Sequence, residues 1–207
     1  TPIPTPSPGG GPWRIPARVA DALTGAAREA LDRFVAQGIL AKDREPGLYL
    51  YRQIMDGRVQ TGVVGCVHID DYESDVIRKH EKTRPDKEDD RTRHVLTLNA
   101  HAEPVFLLYR GLTEIDVLAE SVVGTTPLYD FTAPDRVRHT VWQVGDAGLW
   151  TETFRAVPHA YVADGHHRSA AAARAALDDA GVPVIEVSHG DGLRSGARVP
   201  TWQSRGL

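Results

Sequence analysis

At residues 161–170 the chain reads Tyr161-Val162-Ala163-Asp164-Gly165-His166-His167-Arg168-Ser169-Ala170. An apolar run ends just before Asp164, and the Ala-rich segment from Ser169 to Leu177 is strongly helix-forming, so a strand is expected to become a helix here. The N-terminus of a helix presents unpaired backbone N–H groups and roughly half a unit of positive charge. This junction is therefore predicted to bind an anion such as a phosphate or a carboxylate.

The first turn of the predicted helix carries three side chains that are cationic or can become so: His166, His167 and Arg168. A simpler interpretation makes Asp164 a helix N-cap, worth about 1 kcal/mol, and leaves the other three as solvated surface residues. Capping does not explain three such residues at the positive end of a helix dipole, an unfavourable arrangement unless an anion is bound. The sequence therefore favours a functional loop, because locally unfavourable choices tend to mark functional sites.

A second polar segment lies about 80 residues upstream. It reads His80-Glu81-Lys82-Thr83-Arg84-Pro85 and continues as Asp86-Lys87-Glu88-Asp89-Asp90-Arg91. Pro85 is well placed in the first turn of a helix that is predicted from about Asp86 to Ala100. The structural alternative for Glu81 is a surface residue that pairs with Lys79 or Arg84, an interaction worth under about 1 kcal/mol.

With these two motifs in this order, the chain resembles the DUF1015 family, whose members carry an Ile/Val-Ala-Asp-Gly-His-His-Arg signature and an upstream His-Glu-Lys-Thr segment. The resemblance covers approximately Tyr49 to Ala176. More distantly, the Asp-Gly-His-His-Arg motif resembles the ligand loop of the ParB/sulfiredoxin-like superfamily, which includes free-serine kinases that use ADP or ATP. The N-terminal segment usual in the family and its long C-terminal half are not recognised here, so the chain is expected to be a fragment.

The resemblance and the residue inventory together imply a nucleotide-dependent phosphotransferase. It would use Mg²⁺ with ADP or ATP and act on a hydroxylated metabolite such as a free amino acid, because phosphoryl transfer needs charge neutralisation and a carboxylate near the acceptor hydroxyl. The expected catalytic residues are Glu81 and Asp164, and Asp164 is also the candidate Mg²⁺ ligand. Nucleotide phosphates are assigned to Gly165, His166, His167, Arg168 and Ser169. The substrate is assigned to His80, Lys82, Thr83 and Arg84.

Two other functions remain open on sequence grounds. The first is a nucleotide- or phosphate-binding module without catalysis. The second is a metal-dependent hydrolase in which His166, His167 and a carboxylate hold the metal, although adjacent histidines at a helix start point in different directions and no His-Glu-x-x-His motif occurs. No Gly-x-Gly-x-x-Gly or Gly-Lys-Ser/Thr loop occurs either, so a Rossmann site or a P-loop is not predicted.

Composition narrows the class of protein. The net charge of −4 argues against general nucleic-acid binding, and no apolar stretch approaches the roughly 20 residues that span a bilayer. The single cysteine, Cys66, is predicted to be buried and excludes a disulfide within the chain. A cytoplasmic protein with small-molecule partners and no membrane partner is expected, and the sequence leaves its oligomeric state open. Arg91 is expected to be a surface charge, and the other histidines, such as His94 and His101, are expected to be structural or exposed.

The remaining patterns predict an α/β or α+β fold with a mixed sheet, flanking helices and a ParB/sulfiredoxin-like ligand loop at a strand-to-helix junction. Helices are predicted at 17–37, closed by Gly38, at 71–79 and at 148–156; strands are predicted at 48–55 and 59–69 around the turn Asp56-Gly57-Arg58, and at 105–109 and 140–144. Residues 112–121 are ambiguous. We expect one domain over 13–188, a disordered tail over 1–12 and an irregular tail over 189–207.

Overall fold

Helices and strands alternate along the part of the chain that this computed structural model describes, residues 17–43, 45–178, 186–188 and 202–204. The helices are α1 (Ala17–Ala36), α2 (Ile69–Glu73), α3 (Pro85–Leu98), α4 (Thr113–Val123), α5 (Ala147–Phe154) and α6 (His166–Asp178). The strands are β1 (Leu40–Lys42), β2 (Tyr49–Met55), β3 (Arg58–Gly65), β4 (Ile77–Arg78), β5 (Phe106–Tyr109), β6 (Tyr129–Thr132), β7 (Arg138–Gln143), β8 (Ala160–Asp164), β9 (Glu186–Ser188) and β10 (Trp202–Ser204).

Eight of these strands form one mixed sheet in the order β4-β8-β5-β9-β3-β2-β7-β6. The pairs β4–β8 and β5–β9 are parallel and the other neighbours are antiparallel. This arrangement confirms the predicted mixed sheet with flanking helices. A separate antiparallel pair joins β1 to β10, which lies in the tail predicted to be irregular. The rest of that tail and residues 1–12 lie outside the described residues.

Most of the predicted elements are confirmed. The hairpin of β2 and β3 turns at Asp56 and Gly57, which both have positive φ, as a tight two-residue turn requires. Helix α1 ends before Gly38, whose φ of 71° places it in the left-handed region that favours glycine after a helix. The buried Cys66 is also confirmed.

Two predicted segments were wrong. The helix expected at 71–79 is replaced by the short α2, which ends at Glu73, and by strand β4. Ile77 is almost completely buried in β4, where it pairs in parallel with β8, so tertiary pairing overrides the local preference for a helix. The strand expected at 59–69 ends at Gly65, and the last residues of that range begin α2, where the His68 side chain accepts from the Asp70 backbone N–H. The ambiguous segment at 112–121 is helix α4, and the edge strand β6 was not predicted.

The packing of the sheet and helices brings two helix N-termini together. The main core lies around the central strands and contains Leu50, Leu107, Trp142 and Val162, against which α4 and α5 pack. Helices α3 and α6 pack against each other elsewhere, and α1 packs against α3. Beyond the buried His166 and Ser169 in its first turns, the buried residues of α6 are alanines, and such small side chains let a neighbouring helix approach closely. This packing positions the start of α6 beside the start of α3.

Candidate functional site

The strand-to-helix junction has the backbone geometry of a tight loop. Strand β8 ends at Asp164 and α6 begins at His166, with Gly165 between them at a φ of 93°. A Cβ atom at Gly165 would lie 3.1 Å from both Nε and Nη2 of Arg168. Glycine is therefore favoured at this position for two reasons: the positive φ and the close approach of the Arg168 guanidinium.

Arg168 folds back over this loop and connects it to the segment that precedes β5. Its Nη2 donates to Asp164 Oδ2 at 2.5 Å, its Nη1 lies 3.4 Å from a Glu103 carboxylate oxygen, and Nη1 also donates to the carbonyl oxygen of Pro104. The Arg168 side chain is only 25% exposed. Any phosphate at this loop would therefore meet a guanidinium that is already oriented by Asp164.

The two motifs identified in the sequence come together in space. The backbone N–H of Arg84 donates to His167 Nε2 at 3.3 Å, although the two residues are 83 positions apart. Glu81 Oε2 lies 3.5 Å from His166 Nδ1, and the His80 ring meets the His166 ring edge-on with 4.4 Å between centroids. The carboxylate of the first motif therefore lies at the start of the helix that the second motif begins.

His166 is turned inward. Its side chain is 6% exposed, and burial, followed by repulsion from His80, lowers its pKa below the usual value, against the opposing effects of Glu81 and Asp164. The imidazole is therefore neutral at pH 7, and its contact with Glu81 is between a neutral ring and a carboxylate. Its Nε2 atom is buried and has no hydrogen-bond partner among the described residues. Its predicted contact with phosphate would thus be made by a neutral ring.

The other predicted site residues differ in their contacts and in their exposure to solvent. The Thr83 hydroxyl donates to the Glu88 carboxylate, and the Arg84 guanidinium pairs with Asp86 at 2.8 Å. Lys82 is exposed, and Ser169 is buried. The structure therefore brings Glu81, His80 and His166 together directly, whereas the side chains of Thr83 and Arg84 are occupied within their own segment.

The starts of α3 and α6 lie side by side, and the first turn of α3 carries the carboxylates of Asp86 and Glu88. Helix α3 begins with Pro85 after Arg84, and no side-chain hydrogen bond caps it. Its start touches the start of α6 through the contact between Arg84 and His167. Because each helix N-terminus carries a partial positive charge, two of them side by side favour an anion more than either one alone.

A metal site built from protein ligands is not found in the described ranges. No group of three or more His, Cys, Asp or Glu side chains there has an arrangement that could hold a metal ion. The candidate Mg²⁺ ligand, Asp164, is 71% exposed and accepts from Arg168. Mg²⁺ often binds to one or two carboxylates together with substrate phosphates, and Asp164 fits that more limited role.

Comparison with known proteins identifies the family. A family model described as a protein of unknown function (DUF1015) matches residues 17–183. The chain belongs to the DUF1015 family. The family resemblance of the two motifs is thus confirmed, and the family match also takes in α1. No curated protein and no solved structure matches this DUF1015 chain. Among the helices that the structure describes, none is both long enough and apolar enough to cross a membrane.

A small pocket next to Arg168 was not predicted. Its polar lining comes from α3, from α6 and from the segment between α3 and β5, and its volume is about 60 Å³. The polar lining residues are Arg91, His94, His101, Glu103 and Arg168. In the sequence, Arg91 looked like a helix-surface charge and Glu103 belonged to no motif. Among the polar lining residues, only Arg168 belongs to a sequence motif that predicted a site. The other polar lining residues are brought next to it by the fold.

Proposed function

We propose that this DUF1015 protein is a nucleotide-dependent phosphotransferase that acts on a small hydroxylated metabolite, with ADP or ATP and Mg²⁺ as the donor complex. The observation that carries the proposal is the meeting of two helix N-termini with an exposed carboxylate. His167 joins the two helix starts, and Glu81 lies 3.5 Å from His166. Anion binding and an adjacent carboxylate are the two requirements of phosphoryl transfer.

In this proposal the donor phosphates bind at the start of α6. The backbone N–H groups of the first turn, His167 and the oriented guanidinium of Arg168 supply hydrogen bonds. Mg²⁺ would neutralise charge on the transferred phosphoryl group. Asp164 would hold it through an oxygen that is not engaged by Arg168, directly or through a coordinated water.

Glu81 is proposed as the base. Its side chain is 57% exposed, so a substrate hydroxyl can reach it, while its Oε2 rests against the neutral ring of His166. The acceptor oxygen would form the new bond to phosphorus as its proton passes to Glu81, and the bond from phosphorus to the nucleotide oxygen would break. The products are a phosphorylated metabolite and a nucleotide shortened by one phosphate.

A second candidate is a nucleotide- or phosphate-binding module without catalysis. The observation in its favour is that Arg168 is already engaged by Asp164 and Glu103, so the loop is ordered by internal contacts. The third function considered, a metal-dependent hydrolase, receives no support from the described residues, where no three-ligand cluster is formed.

The proposal is tested first by thermal shift with ADP, ATP, CTP, pyrophosphate and phosphate, each with and without Mg²⁺ or Zn²⁺, because a ligand of the folded state raises its apparent stability. We expect a Mg²⁺-dependent shift with a nucleotide. Arg168→Ala should reduce the apparent affinity by at least about tenfold, since charge-assisted hydrogen bonds contribute about 1.5–3 kcal/mol. The matched control is Arg155→Ala, because Arg155 makes only an exposed pair with Glu152 on α5.

Catalysis is tested separately from binding. Glu81→Gln should leave the nucleotide shift intact and abolish transfer of ³²P to a mixture of hydroxylated metabolites, whereas Glu152→Gln should change neither. Nucleotide binding without any transfer by the unsubstituted chain would favour the binding module. Transfer that survives in Glu81→Gln would remove Glu81 from the role of base, and stabilisation by Zn²⁺ alone would favour the hydrolase.

A further inference from the structure

Apart from Arg168, the residues that line the pocket beside Arg168 are not among those assigned above to nucleotide and substrate. Arg168 is shared, since its Nη2 contacts Asp164 in the loop and its Nη1 reaches Glu103, another residue of the pocket. Val95 and Ala171 add apolar surface to the lining. A ligand in this pocket would therefore lie across the guanidinium from the loop carboxylate.

Arg91 supplies a cation without a partner. It is exposed, and no ion pair or hydrogen bond joins its side chain to another residue in the described ranges. Its neighbour on the same helix, Arg93, pairs with Asp21 of α1 at 3.4 Å. Proximity of the Arg91 charge also contributes, after burial, to lowering the pKa of His94 in the same pocket. A guanidinium left unpaired at the wall of a cavity is suited to a bidentate contact with an oxyanion.

Glu103 adds a charge of the opposite sign. Its carboxylate lies 3.4 Å from Arg168 Nη1 and is 66% exposed, so it can still accept a hydrogen bond from a ligand. A negative lining residue disfavours a dianion such as phosphate and favours a monoanion that also carries a donor. A volume of about 60 Å³ has room for roughly four to six water-sized groups.

We propose that this pocket binds a small carboxylic acid that carries a hydroxyl or amino group next to its carboxylate. The Arg91 guanidinium donates hydrogen bonds to the carboxylate of the ligand, and the Glu103 carboxylate accepts a hydrogen bond from its hydroxyl or amino group. This binding does not depend on the phosphotransferase function proposed above.

The test uses NMR titration of the full chain without nucleotide. Lactate and propionate are the matched probes, because they differ only in the hydroxyl next to the carboxylate, and inorganic phosphate is the third. We expect lactate to bind at least tenfold more tightly than propionate or phosphate. Arg91→Gln should weaken lactate binding at least tenfold, and Arg93→Gln, two residues along the same helix, should leave it unchanged. Glu103→Gln should reduce the preference for lactate over propionate.

Several results would overturn the proposal. These are absence of lactate binding, lactate binding that is insensitive to Arg91→Gln, and phosphate binding that is tighter than lactate binding and lost in Arg91→Gln. Arg91→Lys keeps the charge and loses the bidentate geometry, so an intermediate affinity is expected, and it serves if Arg91→Gln does not fold. If the thermal shift with nucleotide persists in Arg91→Gln, the pocket is distinct from the nucleotide site. Lactate binding without any thermal shift with nucleotide would support the pocket proposal and contradict the proposed phosphotransferase function.

Discussion

Helices α5 and α6 begin in two different ways, although an aspartate stands at the start of each. At α5 the Asp146 side chain accepts from the backbone N–H of Leu149 at 3.0 Å, which is a normal N-cap. At α6 the residue before the helix is Gly165, and the carboxylate of Asp164 accepts from the Arg168 side chain. One aspartate satisfies the helix end, and the other is directed to a side chain four residues further on.

The difference supports our proposal that the start of α6, and not that of α5, binds a ligand. The first turn of α5 is Ala147, Gly148 and Leu149, and carries no charge, so its cap completes a structural end. The first turn of α6 contains His166, His167 and Arg168, with its aspartate occupied elsewhere. Backbone N–H groups that a side chain does not cap remain available to a ligand.

The largest expected effect comes from removing the glycine that makes the α6 loop possible. Gly165→Ala places a Cβ in the left-handed region and 3.1 Å from the Arg168 guanidinium, so we expect a loss of about 1–3 kcal/mol in the free energy of unfolding. Urea unfolding followed by circular dichroism measures it. The matched control is Gly145→Ala before α5, where a Cβ would meet nothing within 4 Å. Equal effects at the two positions would show that the α6 loop does not fix its backbone.

Substitution of the two aspartates is expected to have smaller effects. At α5 it should lower stability, and at α6 it should mainly weaken nucleotide binding. Asp146→Ala removes a cap and should lower the free energy of unfolding by about 1 kcal/mol, with nucleotide binding unchanged. Asp164→Ala breaks an exposed pair with Arg168 and should cost under about 1 kcal/mol, while it weakens the Mg²⁺-dependent nucleotide shift. Unfolding curves and thermal shifts on both variants supply the comparison. If Asp164→Ala destabilised the chain and spared the shift, Asp164 would be a structural residue like Asp146.

The sequence predicted much of the fold because the decisive signals were local. Asp56-Gly57 can form a tight turn by itself, and Gly38 can end α1 by itself, since both depend on backbone conformations that glycine and aspartate adopt readily. Strand β4 was missed because its two residues become a strand only through pairing with β8. The residues at 71–79, where a helix was expected, contain no information about that partner.

The residues of the candidate site could be predicted from the sequence motifs, but their contacts and burial could not, because these depend on tertiary packing. Glu81 and His166 came from separate motifs, and their 3.5 Å contact follows from the fold. That burial and the nearby His80 lower the pKa of His166 could not be read from the sequence, because both effects arise only in the folded chain. That Arg91 has no ion-pair partner among the described residues is equally a tertiary property, since Arg93 on the same helix pairs with Asp21 on α1.

The smallest expected effect distinguishes the two helix starts by pH, because only α6 begins with histidine. Burial lowers the pKa of His166 in the folded chain below the value near 6.5 of the unfolded chain, so below that value the unfolded state binds more protons. The stability that the folded chain has with a neutral His166 is therefore fully present above about pH 6.5. It is lost as the pH falls through the lower pKa of the folded state.

Urea unfolding at pH 7.5, 6.5 and 5.5 measures this loss as a difference between the unsubstituted chain and His166→Asn, whose amide stands in for the half of the ring that faces Glu81. His94, whose pKa is also lowered by burial, acts in the same direction, so His94→Asn is needed beside it. We expect each substitution to flatten the fall in stability below pH 6.5. Parallel curves for the unsubstituted chain and His166→Asn would mean that the pKa of His166 is the same in the folded and the unfolded chain, and that burial of the imidazole at the start of α6 does not oppose its protonation.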